Sequence, residues 1–176
     1  PLQFDLPHAA SREAVMQIVE VRRALESEVA ELAAQRRTPS DVAAIRQAMQ
    51  HIAHAVHSGH DGGEEDGLVH RAIAQAADNP FMISTLDYMA QFLQGATRVT
   101  RANEARRSDF ARAVTQEHES IVQAIEAGDA PAARRAATAH MRNALARIEQ
   151  ADLVFWMQDG ERLAQPLVAA KAPLLF

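Results

Sequence analysis

Apolar residues recur every three or four positions along six successive stretches of the chain, and a turn signal closes each stretch. From Ser11, read as an N-cap, the spacing predicts a helix to about Arg37 with Val15, Ile18, Leu25, Val29 and Leu32 on its inner face. Thr38-Pro39-Ser40-Asp41 restarts the chain with a capping threonine, a proline at the first helical position and a capping-box carboxylate. The second helix carries Val42, Ile45, Met49, Ile52 and Val56 and ends near Ser58, where a glycine-rich loop begins. The third spans about Glu64 to Ala77 with Asp66, His70, Ile73 and Ala77 inward, and Asp78-Asn79-Pro80 stops it. The fourth is expected from about Pro80 to Arg101 on Met82, Leu86, Met89, Leu93 and Ala96. A charged stretch, Arg101 to Asp109, then leads into a fifth helix on Phe110, Val114, His118, Ile121 and Ile125. Gly128 closes that helix, and Asp129 with Pro131 opens a sixth. Its stripe reads Ala133, Ala137, His140, Ala144, Ile148, Ala151 and Phe155, with Gly160 marking the end.

Six or seven helices with short connections predict an all-α antiparallel bundle. The pattern divides the chain into a lead-in over 1–10, a helical domain over 11–160 and a tail over 161–176 that can form one more short helix.

Composition supports this: 48% of residues are hydrophobic and only 5% aromatic, with alanine abundant, which favours helix over sheet. A net charge of −5 offers no basic footprint for nucleic acid. No apolar run approaches the roughly 18–20 residues that span a bilayer. The chain has no cysteine, so any metal must be held by imidazole and carboxylate; this also suits a cytoplasmic protein.

Helical periodicity then filters for chemistry. A polar side chain on a core-facing stripe must be paired or ligated, because burying it alone costs roughly 2–7 kcal/mol. Arg22, Asp66, His70, His118 and His140 pass this filter. Asp66 and His70 stack one turn apart and reach one ion, or simply hydrogen-bond each other. With one histidine from each of two further helices they make a His₃Asp set, which suits zinc, nickel, manganese, iron or cobalt and disfavours Cu(I). Each histidine taken singly reads more readily as a satisfied core residue than as a ligand. The row His51, His54, His57 and His60 looks metal-like, but a three-residue step drifts about 60° each time, so it winds around its helix into solvent. Arg22 either snorkels out of the core or turns its fork to a carboxylate ligand. Asn143, at the shoulder of the His140 face, can donate to the same ligand. Glu117 and the pair Arg134-Arg135 are expected in solvent, and Trp156 in packing or a dimer surface.

The ordered motifs Glu20-Val21-Arg22-Arg23-Ala24-Leu25-Glu26, Arg37-Thr38 with Asp41, Asp66-x-x-x-His70, Asn79-Pro80, Glu117-His118, Ala127-Gly128-Asp129 and His140 carry a resemblance. From Glu20 to about Ile148 the chain resembles the FCD domain, the C-terminal effector domain of FadR-type regulators in the GntR family. The resemblance implies that Asp66, His70, His118 and His140 are metal ligands, with zinc first among the candidates. It also implies a small carboxylate effector (a sugar acid, hydroxy acid or dicarboxylate) at the open metal positions. Arg22, and less directly Asn143, would contact that effector. It further implies a homodimer that binds operator DNA through an N-terminal winged helix-turn-helix, a segment this chain does not include. Gly67 inside a helix and Val69 in place of an aromatic residue depart from the family's pattern. Two other readings stand beside the sensor: a metal-dependent helical hydrolase, with Glu117 as its best but poorly placed spare base, and a purely structural bundle with a hydrogen-bonded polar core.

Overall fold

The computed structural model describes residues 12–151 and 153–157, with side chains described except at 89–96. The expected cap at Ser11, the stripe positions Met89, Leu93 and Ala96, the stop at Gly160 and the tail helix lie outside those residues. Among the described residues there are seven helices and no strand. They are α1 (Arg12–Arg36), α2 (Pro39–His57), α3 (Gly63–Ala76), α4 (Pro80–Ala105), α5 (Ser108–Ala127), α6 (Ala130–Glu149) and the single turn α7 (Leu153–Phe155). None is long and apolar enough to cross a membrane.

Local chemistry sets the boundaries. Thr38 and Asp41 form the full capping box, with Pro39 opening α2. The Asn79 carboxamide oxygen accepts from the backbone amides of Phe81 and Met82 at the start of α4, and Asp129 does the same for Ala132 on α6. Gly128 ends α5 in the left-handed region at φ 72°. A Cβ there would lie 2.6 Å from the Arg37 guanidinium, which donates to the Ala34 and Glu126 carbonyls and ties α1 to the end of α5. Gly128→Ala is therefore expected to cost about 1–2 kcal/mol in urea unfolding, from the left-handed backbone and a displaced Arg37. A neutral outcome would mean that neither constraint matters.

The α1 helix packs most extensively on α6 and runs antiparallel to it, since Ser27 meets Thr138 while Val15 and Val19 share a cluster with Met141 and Ile148. The buried faces follow the expected stripes with four corrections. On α1, Glu26 is buried and Leu25 only half-buried. On α2, Ala48 and Ala55 join Ile45 and Ile52 in the core while Val56 is exposed. The α4 helix continues to Ala105, so the expected charged connector shrinks to Arg106 and Arg107; its polar residues Arg101, Asn103 and Glu104 are buried and paired inside the bundle. The α6 helix ends at Glu149, and the chain then turns so that Phe155 and Trp156 fold onto Val15, Ile18 and Val19. Phe155 reaches the core by that turn and not by helical register.

The core is in two parts. One gathers Val29 to Ala34 of α1 with Ile45, Ile73, Ile121, Ile125 and Ala137; the other gathers Val15 to Val19 with Val99, Met141, Ile148 and Phe155. Between them, on α1 and α6, lie Arg22, Glu26 and His140. The molecule is thus interrupted midway by a buried polar layer.

Candidate metal centre

Three histidines from three helices meet in that layer. His70 of α3, His118 of α5 and His140 of α6 each place a ring nitrogen within 4.8 Å of the other two. Ring centroids are 4.5 Å apart for His118 and His140, and 5.5 and 5.7 Å from His70 to each. Asp66 is 3% exposed and reaches two of the rings through different oxygens. Its Oδ2 is 3.4 Å from His70 Nε2, and its Oδ1 is 3.4 Å from His118 Nε2. Asp66 stands outside the tighter set formed by the three rings.

Carboxylates hold two of the rings from behind. Glu117 Oε2 lies 2.8 Å from His140 Nδ1 in hydrogen-bond geometry. Glu26 Oε2 lies 2.7 Å from His70 Nδ1, an ion-pair distance without hydrogen-bond alignment. A carboxylate on Nδ1 leaves Nε2 as the nitrogen that faces inward. Glu26 Oε1 accepts from Arg22 Nε at 2.8 Å. Glu117 is gripped by both terminal nitrogens of Arg147, at 2.8 and 2.9 Å, and accepts from Asn143 Nδ2 at 2.8 Å. Arg147 Nε donates to Glu104 Oε1 at 2.7 Å. Arg101 lies 3.6 Å from Glu104 and 4.0 Å from Asp66, and donates to the Asp61 carbonyl at 3.1 Å.

Three atoms at the centre have no hydrogen-bond partner among the described residues: Asp66 Oδ1, His70 Nε2 and His118 Nε2. Each such buried atom costs about 1–3 kcal/mol if left unmade. Facing one another, they make a donor set whose lone pairs fit one divalent cation. The protonation states agree. Burial, reinforced by the neighbouring imidazoles, holds His118 well below the usual histidine range. Burial also lowers His140, with Glu117 opposing, so both rings are in the neutral form that ligates. Burial works against charging Asp66, yet His70 and His118 keep it well below the ordinary carboxylate range. His70 differs: burial lowers it, but Glu26 and Asp66 carry it up to about 9, so a cation bound at its Nε2 would have to displace a proton.

A model of the FCD domain matches residues 17–143. The chain belongs to the FCD domain family. It is 32% identical over 134 residues to the HTH-type transcriptional regulator LutR of Bacillus subtilis (strain 168), a match spanning 75% of this chain and 61% of that protein. It is 31% identical over 124 residues to a putative L-lactate dehydrogenase operon regulatory protein of Escherichia coli (strain K12), spanning 70% and 47%. The chain thus spans roughly half to three-fifths of the relatives' own length. Among solved structures, Streptococcus agalactiae GntR superposes with a TM-score of 0.64 at 24% identity, covering 83% of this chain and 64% of that one. E. coli McbR/YncC gives 0.66 at 18% identity, covering 80% and 66%. These likenesses establish the all-α fold as that of GntR-type regulators.

Beside the three rings of this FCD domain lies a cavity of about 360 Å³. Arg22, Glu26, His70 and His140 line it, and so does Gly67, where a Cβ would meet nothing within 4 Å. Arg22 is 3% exposed, so it does not snorkel. Asn143 is exposed, holds Glu117 and is not among the cavity's lining residues. Glu117 is inside the network and not in solvent as expected, because its carboxylate is the shared partner of His140 and Arg147. The His51, His54, His57 and His60 row is exposed, as its drift requires. Sequence reasoning passed over Glu26, Glu104 and Arg147. Two of these left a signal: Glu26 is one turn from Arg22, and Arg147 is two turns from His140 on the same face.

Proposed function

We propose that this FCD domain is the effector-sensing part of a transcription regulator, with a divalent transition metal on Asp66, His70, His118 and His140. The observation that carries the reading is the three unpartnered buried donor atoms facing one another, beside two rings held from behind by carboxylates. Zinc is the first choice for a His₃Asp set, with nickel, manganese, iron and cobalt behind it. When bound, the metal supplies positive charge and open positions for a small carboxylate such as a sugar acid, hydroxy acid or dicarboxylate. The chain's own residues do the rest. Arg22, fixed by Glu26, presents its guanidinium to the ligand's carboxylate in the cavity, and Asn143 with Arg147 holds Glu117 against His140.

In the full-length regulator, ligand binding would shift the packing of the bundle and reposition DNA-binding domains across a homodimer in the cytoplasm. Only a ligand with different affinity for the two arrangements can do this. The name of one relative, a putative regulator of an L-lactate dehydrogenase operon, is in keeping with an acid effector. The hydrolase reading is weaker, because Glu26, Glu104 and Glu117 are each committed to an arginine, which leaves no uncommitted glutamate beside the rings among the described residues.

Elemental analysis of protein purified without added metal, followed by thermal shift against lactate, malate and gluconate, tests the reading. About one metal per chain and a stabilising acid recovered unchanged are expected. Turnover of the acid would move the chain into the enzyme class.

A further inference from the structure

The cavity beside the metal centre is polar at one level and apolar at the next, and that division specifies the ligand. On α1, α3 and α5 the polar residues Glu26, His70 and His118 are followed one turn later by Val29, Ile73 and Ile121. On α6, which runs the other way, Ala137 lies one turn before His140. One turn is about 5 Å along the axis. In the antiparallel bundle all four apolar residues therefore fall on the same side of the polar layer, and all four belong to one core cluster. Ile73, Ile121 and Ala137 line the cavity together with Ile83 and Leu86 from the first turns of α4, next to the end of α3.

The charges of the lining agree. Its cations are Arg22, Arg71 and Arg98. Arg71 pairs with Asp87 and Arg98 with Glu64, each at 3.5 Å across the α3–α4 seam on the exposed side. Arg22 alone is a buried cation at the head of the cavity. Among the described lining residues, a second carboxylate or the hydroxyls of a sugar acid carried past the polar layer would lie against Ile73, Ile83, Leu86 and Ile121, with only Thr97 and the ion pairs already made at the exposed edge to receive them, at roughly 2–7 kcal/mol per unmatched polar group. Size points the same way. At about 30 Å³ for each water-sized atom, 360 Å³ holds roughly a dozen non-hydrogen atoms, twice the number in lactate.

We infer that the effector is a 2-hydroxy monocarboxylate with an aliphatic tail several carbons longer than that of lactate, its head at the metal and Arg22 and its tail along Ile73, Ile83, Leu86 and Ile121. This rests on the sensor reading and narrows it from small carboxylates in general to one amphipathic class. Polyhydroxylated and dicarboxylic acids of the same size are poor ligands.

Calorimetric titration of the zinc-loaded chain with lactate, 2-hydroxybutanoate, 2-hydroxyhexanoate and 2-hydroxyoctanoate tests it, with malate and gluconate as polar controls. The Kd is expected to fall about fourfold per added methylene, the effect of burying each in an apolar wall, and both controls to bind more weakly than 2-hydroxyhexanoate. Leu86→Ser, at a half-buried site that tolerates change, should weaken 2-hydroxyoctanoate about tenfold and leave lactate within about twofold. A flat or reversed series in which lactate binds overturns the tail assignment and leaves the sensor reading intact. Equal weakening of lactate and 2-hydroxyoctanoate by Leu86→Ser also overturns it. Binding of no acid in either set overturns both.

Discussion

Replacing Arg147 with alanine will remove about 3–5 kcal/mol of stability, because it leaves buried carboxylates without their cation. Its guanidinium is the only cation in contact with Glu117 among the described residues, and it shares Glu104 with Arg101. Side-chain exposures of 7% for Arg147, 4% for Glu104 and 14% for Glu117 leave little water to replace it. The loss should also depend on pH. Burial raises Glu104 to about 7, from an ordinary 4.5, against the pull of Arg147 and Arg101. Between those two values the folded chain holds more protons than the unfolded chain, so stability falls as pH rises through the window. Without Arg147 the carboxyl climbs further, and the deficit widens from pH 5.5 to pH 8. Urea denaturation at the two pH values measures this, and adding Glu104→Gln should recover part of the loss at pH 8 only. A deficit below 1 kcal/mol at both values would show that the network is not held by Arg147.

The same residue shows what could be read from the sequence and what could not. Stripes at three- and four-residue spacing located six helices, because burial imposes that period wherever a helix packs. The capping box at Thr38, the stop at Asn79-Pro80 and the closing Gly128 were visible because they are local, closed within a few residues. The ligand candidates were visible because a polar side chain on a buried stripe is an exception to the period. Pairing is different. Arg147 lies 30 residues from Glu117 and 43 from Glu104, and no local pattern distinguishes a glutamate aimed inward from one in solvent. Glu117 neighbours His118, so on periodicity alone it belongs to the flank, yet a glutamate's length lets it curl back to His140. The continuation of α4 to Ala105 was hidden for the same reason. A run of arginine, asparagine and glutamate looks like a solvated connector unless its partners are known to be buried with it. The end of α6 was missed because Ala151 and Phe155 keep the helical period across a turn that brings Phe155 to the core by another path.

His118→Ala will abolish metal retention. Protein purified with zinc and passed through gel filtration should carry about one equivalent, and the variant less than about a tenth. Changes behind a ligand typically cost about 10–100-fold in metal affinity, and removal of a ligand costs more. Stability should follow, since a metal present at about a thousand times its Kd adds about 4 kcal/mol to the folded state. For a chain of this size that is a fall of roughly 8–16 °C in Tm on chelation. His118 is the informative position because burial keeps its ring neutral, and its Nε2 has no hydrogen bond to lose among the described residues. If the polar layer were only a hydrogen-bonded core, chelator would leave Tm unchanged. His118→Ala would then cost little more than the space it vacates. If the layer holds a metal, the apo forms of wild type and variant should melt close together while the holo forms diverge. The chelator-dependent difference between the two proteins therefore separates a metal centre from a polar core without any assumption about which acid binds beside it.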